Sequence, residues 1–138
     1  DSKTEIGWVT AVNPKVELLL GYTWQVKDYP WLNIWRHREN GRVKSRGLEF
    51  GTTGLHQPFR VLVGRGRILD RPLFSFIDAG ESVSREYMMF VAAVPRDYSG
   101  VARLVVDEQK SQLVLFERAP GKRRIVLPFD LPMPPPSM

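Results

Sequence analysis

The sequence predicts an all-β chain, an antiparallel β-sandwich built from many short strands. Three observations point there. The apolar runs are short and alternate with polar residues. Turn-forming Gly, Pro, Asn and Asp recur between those runs. No segment sustains the 3.6-residue period of an amphipathic helix.

The elements follow in order. Gly7-Trp8-Val9-Thr10-Ala11-Val12 reads as a first strand, closed by the turn signal Asn13-Pro14. Lys15 to Trp24 follows as a long strand that Asp28-Tyr29-Pro30 breaks, and Trp31 to Arg36 resumes it. Asn40-Gly41, the strongest short hairpin signal, leads into Gly47-Leu48-Glu49-Phe50-Gly51. Arg60 to Val63 and Leu73 to Ile77 read as further short strands. The run from Ser82 to Val94 starts with Ser and stops before Pro95, as a helix could. Its β-branched and aromatic residues alternate, however, and predict a strand buried on both faces near its end. Three compact strands close the pattern: Val101 to Val106, Gln112 to Phe116 and Arg124 to Leu127. Residues 1–127 read as one sandwich domain. Residues 128–138, with five of the eleven prolines, read as an extended tail that covers an edge or stays disordered.

Composition narrows the function classes. With 138 residues, 43% hydrophobic and 25% charged, the chain can bury a core. No apolar run approaches the roughly 20 residues of a membrane helix, so the reading includes no membrane partner. The opening Asp1-Ser2-Lys3-Thr4-Glu5 reads as the start of a fragment or of a chain whose leader was removed. The absence of cysteine excludes disulfides and thiolate metal sites. Export, periplasmic or extracellular, is favoured slightly over the cytoplasm, because many exported bacterial proteins also lack cysteine; the compartment stays open. The carboxylates Asp28, Asp70, Asp78, Asp97 and Asp107 are scattered, which offers no calcium spacing. Gly64-Arg65-Gly66 lacks the third glycine of a dinucleotide loop, so no cofactor is expected. The charge of +5 resides mostly in Arg36 to Arg46, in Arg65, Arg67 and Arg71, and in Lys122 to Arg124. Each cluster sits beside Gly or Pro, where turns place charge in water.

The stretch Arg46-Gly47-Leu48-Glu49-Phe50-Gly51-Thr52-Thr53-Gly54-Leu55-His56-Gln57-Pro58-Phe59 resembles the C-terminal catalytic-strand motif of aldose 1-epimerases, in the galactose-mutarotase-like superfamily. Phe76 to Phe90, with the turn Asp78-Ala79-Gly80-Glu81, is similar to that family's last block, with Ala79 where Pro is usual. The "Tyr-Pro-Trp" turn at Tyr29-Pro30-Trp31, followed by Arg-Gly-Leu-Glu-Phe, looks closest to uncharacterised bacterial members. The resemblance covers about residues 7–95. It implies the C-terminal part of a mutarotase-like supersandwich and a carbohydrate ligand.

That resemblance makes Glu49 the catalytic candidate. Opening a hemiacetal needs a base for the anomeric hydroxyl and an acid for the ring oxygen. A strand carboxylate between Leu48 and Phe50 is expected to be partly desolvated, with a raised pKa. The family's catalytic histidines and its substrate-clamping arginine lie on strands earlier than the matching region. The two histidines here, His37 and His56, do not occupy those positions. The chain is therefore expected to be catalytically incomplete.

Tyr29, Trp31, Trp35, His56 and Gln57 are the candidate sugar contacts, since aromatic rings stack on pyranose C–H faces. Trp24 belongs to the same group, and the competing reading places these rings in the core. Trp31, following Pro30, is expected to be the more exposed of them.

Two other functions compete. A nucleic-acid-binding β-module would use the basic turns and the aromatics. It ranks below carbohydrate binding because the aromatics precede the basic run instead of alternating with it. A structural or assembly sandwich is the third reading, with a second copy or an upstream segment completing the sheet.

Overall fold

The computed structural model describes residues 5–130, and in them the chain is all-β, with antiparallel sheets and one short helix. The strands are β1 (Ile6–Asn13), β2 (Leu18–Gln25), β3 (Trp31–Glu39), β4 (Arg42–Gly51), β5 (Arg67–Ile68), β6 (Arg71–Pro72), β7 (Tyr87–Ala93), β8 (Val101–Asp107), β9 (Gln112–Glu117) and β10 (Arg124–Pro128). The helix, α1, spans Phe59–Arg65. The sheets are ordered β1-β2-β7, β10-β9-β8, β3-β4 and β5-β6.

Contacts divide the chain into two compact units. Among the described residues one comprises 5–9 and 23–88, the other 10–22 and 89–130, so the boundary cuts through β1, β2 and β7 instead of falling in a linker.

In the first unit the long hairpin β3–β4 closes on Asn40-Gly41, at φ values of 48° and 76°. Two successive positive φ values define the turn whose twist matches paired strands, which is why Asn-Gly stands there. Phe50 organises the apolar side of this unit. Its ring stacks on Trp24 at 4.5 Å and meets Tyr29 and Tyr87 edge-on, each at 5.2 Å. Trp24 is buried and donates its indole N–H to the Tyr29 carbonyl at 2.9 Å.

In the second unit β9 is the most deeply buried strand, with Leu113, Val114 and Leu115 enclosed in succession. At its end sits Glu117, whose side chain has no exposed area. Arg123 meets this carboxylate with two donors, Nε at 2.7 Å and Nη2 at 2.8 Å. The backbone N–H of Ser99 (2.9 Å) and that of Arg123 (3.0 Å) add further donors. Such a count is what a buried carboxylate requires. The Arg123 hydrogen bonds hold Glu117 down at about 2. Arg123 also meets Asp97 at 2.9 Å, which lowers that carboxyl too. Burial pushes the Tyr98 hydroxyl up.

Three sequence expectations are corrected. Arg60 to Val63 is helical, inside α1, not a strand. Pro58 precedes the run, and Gly66, at φ 68°, closes it by donating to the Leu62 carbonyl. Proline before and glycine after are helix punctuation, and they outweigh the β-branched valines. Leu73 to Ile77 forms no strand; Leu73 is buried, but only Arg71–Pro72 pairs, with β5. The run 82–94 forms a strand only from Tyr87 to Ala93. It buries one face near its end instead of two: Phe90, Ala92 and Val94 are enclosed, while Tyr87, Met89 and Val91 are exposed. Most of the proline-rich tail, 131–138, lies outside the described residues; Pro128 and Phe129 bond alongside β9.

Candidate functional site

The site is set by the register of β3 on β4. A two-residue turn at 40–41 pairs Glu39 with Arg42 and Arg38 with Val43. Between His37 and Arg38 the register then slips by one residue, leaving Lys44 outside the ladder. Beyond this bulge His37 faces Ser45, Trp35 faces Gly47 and Asn33 faces Glu49. Side chains alternate along each strand and partners share a face. Trp31, Asn33, Trp35, Gly47 and Glu49 therefore share one face of the ribbon, and Leu32, Ile34, Leu48 and Phe50 the other.

On the first face Trp35 lies across Gly47, where a Cβ would occupy the space of the indole ring. Glycine thus admits the ring, and the Trp35 indole N–H donates to the Glu49 carboxylate. Asn33 reaches the Thr53 carbonyl through its amide at 3.3 Å, tying the following loop to β3. Asn33, Glu49, Thr52, Thr53, Leu55 and His56 line a depression of about 280 Å³. That volume lies just below the range for small-molecule sites, roughly 300–1,000 Å³. Its chemistry is a carboxylate, an amide, two hydroxyls and an imidazole, all suited to polyol hydroxyls.

The expected site residues separate. Glu49 and His56 line the depression together, and Trp35 joins them through Glu49. Glu49 is exposed, which corrects the expectation of partial desolvation: the Trp35 indole, Asn33 and the loop 52–56 stand beside the carboxylate and leave it open to solvent. Gln57 is exposed and outside the lining. Trp31 is half-buried and spends its indole N–H on the Pro72 carbonyl at 2.7 Å. Trp35, at 45% exposure, is thus the more exposed tryptophan of the pair, contrary to the bend argument. Tyr29 and Trp24 belong to the ring cluster around Phe50.

Asn33 and the Thr52-Thr53 pair were not singled out from the sequence. Asn33 alternates with Trp31 and Trp35, which was a usable signal. Counting back from Asn40-Gly41 without the bulge, however, pairs Asn33 with Leu48 and places Glu49 on the opposite face. Among the described residues no group of three or more His, Asp or Glu could hold a metal ion, and no helix is long and apolar enough to cross a membrane.

No protein-family model matches the chain, and no curated protein or solved structure matches it either.

Proposed function

We propose that this chain is a carbohydrate-binding module whose site is the depression between β3, β4 and the loop 52–56. The observation that carries the reading is the grouping of Trp35, Glu49, Asn33 and His56 on one side of the hairpin. A half-exposed indole offers a flat apolar platform for a pyranose face. Beside it the Glu49 carboxylate and the Asn33 amide stand on residues paired across the two strands, and both groups can bond sugar hydroxyls. The resemblance to aldose 1-epimerases, whose catalytic-strand motif Arg46 to Phe59 resembles, supports a sugar as the ligand.

Catalysis asks more than binding. Ring opening needs a donor to the ring oxygen as well as a base, and Glu49 on an exposed strand supplies the base alone. We expect polarimetry on this chain to give no mutarotation above that of Glu49→Gln. Rapid mutarotation lost in Glu49→Gln would instead make the module an enzyme.

The binding test is tryptophan fluorescence during hexose titration. Sugars at tens of millimolar, a weak-binding range, should perturb the emission, and Trp35→Phe should abolish the response. A response that survives Trp35→Phe would move the ligand to another tryptophan, and a flat response to several sugars would end the proposal.

A further inference from the structure

The distal part of the β3–β4 hairpin carries features that the sugar site does not use. Every residue from 34 to 46 is exposed, so this stretch of ribbon is open to solvent on both faces. It holds five cations, Arg36, Arg38, Arg42, Lys44 and Arg46, against the single carboxylate of Glu39. Its formal charge of +4 leaves only +1 for the rest of a chain that totals +5.

The register makes this charge costly. Arg36 lies directly opposite Arg46. Opposed Cβ atoms in an antiparallel pair stand about 4.5–5.5 Å apart, and like charges there are destabilising. Neither arginine has a carboxylate partner among the described residues; the ribbon's ion pair is Lys44 with Glu39 at 3.2 Å. Arg38 follows Arg36 on the same face. Glu39 and Arg42 pair on the other face, beside His37. The cations therefore stand on both faces of the ribbon.

We propose that this arm binds nucleic acid by entering the major groove of a duplex. A two-stranded β-ribbon fits a groove about 12 Å wide, and a groove presents phosphates along both of its walls. A ribbon charged on both faces matches that arrangement. An anionic membrane would instead meet one face and favour apolar residues at the tip, where this arm has Glu39-Asn40-Gly41-Arg42. A linear acidic glycan would likewise engage one face. In the sequence the aromatic and basic residues are separate blocks, but the hairpin lays Arg46 directly across from Arg36, one residue after Trp35. The arm is independent of the sugar site, because Arg36 and Arg46 lie on the face opposite Glu49.

Fluorescence anisotropy with a labelled mixed-sequence DNA duplex of about two helical turns tests the proposal. Binding should weaken linearly in log–log form as salt rises, with a slope near −4 if about four phosphates are neutralised. Arg36→Ala/Arg46→Ala should reduce the slope by about two and weaken binding to all sequences alike. Arg36→Lys/Arg46→Lys keeps the charge and should keep the slope. Circular dichroism and the hexose response should be unchanged in both variants, so failure here and failure of the sugar site can be told apart. The proposal is overturned by no binding at low salt, by a slope unaffected in the alanine variant, or by tighter retention on heparin or on phosphatidylserine vesicles than on the duplex.

Discussion

Gly47 is the residue on which the candidate site turns. It stands opposite Trp35, and the indole lies where its side chain would be. Gly47→Val should push the ring off the strand and break its hydrogen bond to Glu49. The expected outcome is loss of the hexose response in fluorescence with little change in the far-ultraviolet spectrum. An unaltered response would show that the ring position is not needed. Glu49→Gln keeps the shape and an acceptor oxygen but removes the charge. Sugar affinity should fall severalfold, in line with the roughly 1 kcal/mol separating charged from neutral hydrogen bonds. At this scale the sequence was informative about chemistry and less so about surroundings. Glu49 and His56 were singled out and do line one depression, but the exposure of Glu49 followed from neighbours that no local pattern named.

At the scale of elements, the hairpin and the end of β9 each rest on a local device. Gly41 adopts φ 76° with open space around it, so the cost of replacing it lies in the backbone. Gly41→Val should destabilise the turn by about 1–2 kcal/mol, read as a lower urea midpoint. The bulge at Lys44 has a different consequence. Deleting Lys44 removes the extra residue, so pairing continued from the turn would run without the slip and keep Glu49 opposite Asn33 and on the face of Trp35. We expect strand content and the hexose response both to persist; a lost response would show that the bulge itself, and not only the pairing of Glu49 with Asn33, shapes the site. The Glu117 cluster predicts pH dependence. Arg123 holds Glu117 at about 2, against an ordinary 4.5. A carboxylate depressed in the folded state stabilises it above the unfolded value, and that contribution fades as the group is protonated. Stability should therefore decline as pH falls from about 4.5 toward 2, and Glu117→Gln should flatten this acid limb in urea titrations.

For the molecule as a whole, stability rests on the side chains enclosed among the described residues. Leu19, Leu73, Leu113, Leu115 and Val101 are the largest of those fully buried. Leu115→Ala, in the middle strand of β10-β9-β8, should cost about 2–5 kcal/mol. Against a total stability of about 5–15 kcal/mol that is a large share, and the urea midpoint should fall accordingly. What the sequence determined by itself was the β class, the Asn40-Gly41 hairpin, the three closing strands and the chemical candidates Glu49, Trp35 and His56. These follow from period-two alternation and from residues that permit positive φ, which are local properties of the chain. The tertiary structure alone decided three other matters. It made Arg60 to Val63 a helix between Pro58 and Gly66 and left Leu73 to Ile77 outside any strand, since strand pairing depends on a partner that no run of sequence specifies. It sorted the aromatics, sending Trp24 and Tyr29 to Phe50 and leaving Trp35 beside Glu49. And it set the one-residue slip at Lys44, which places Glu49 with Asn33 and Trp35: a strand offers its side chains to both faces equally, and only the pairing chooses between them.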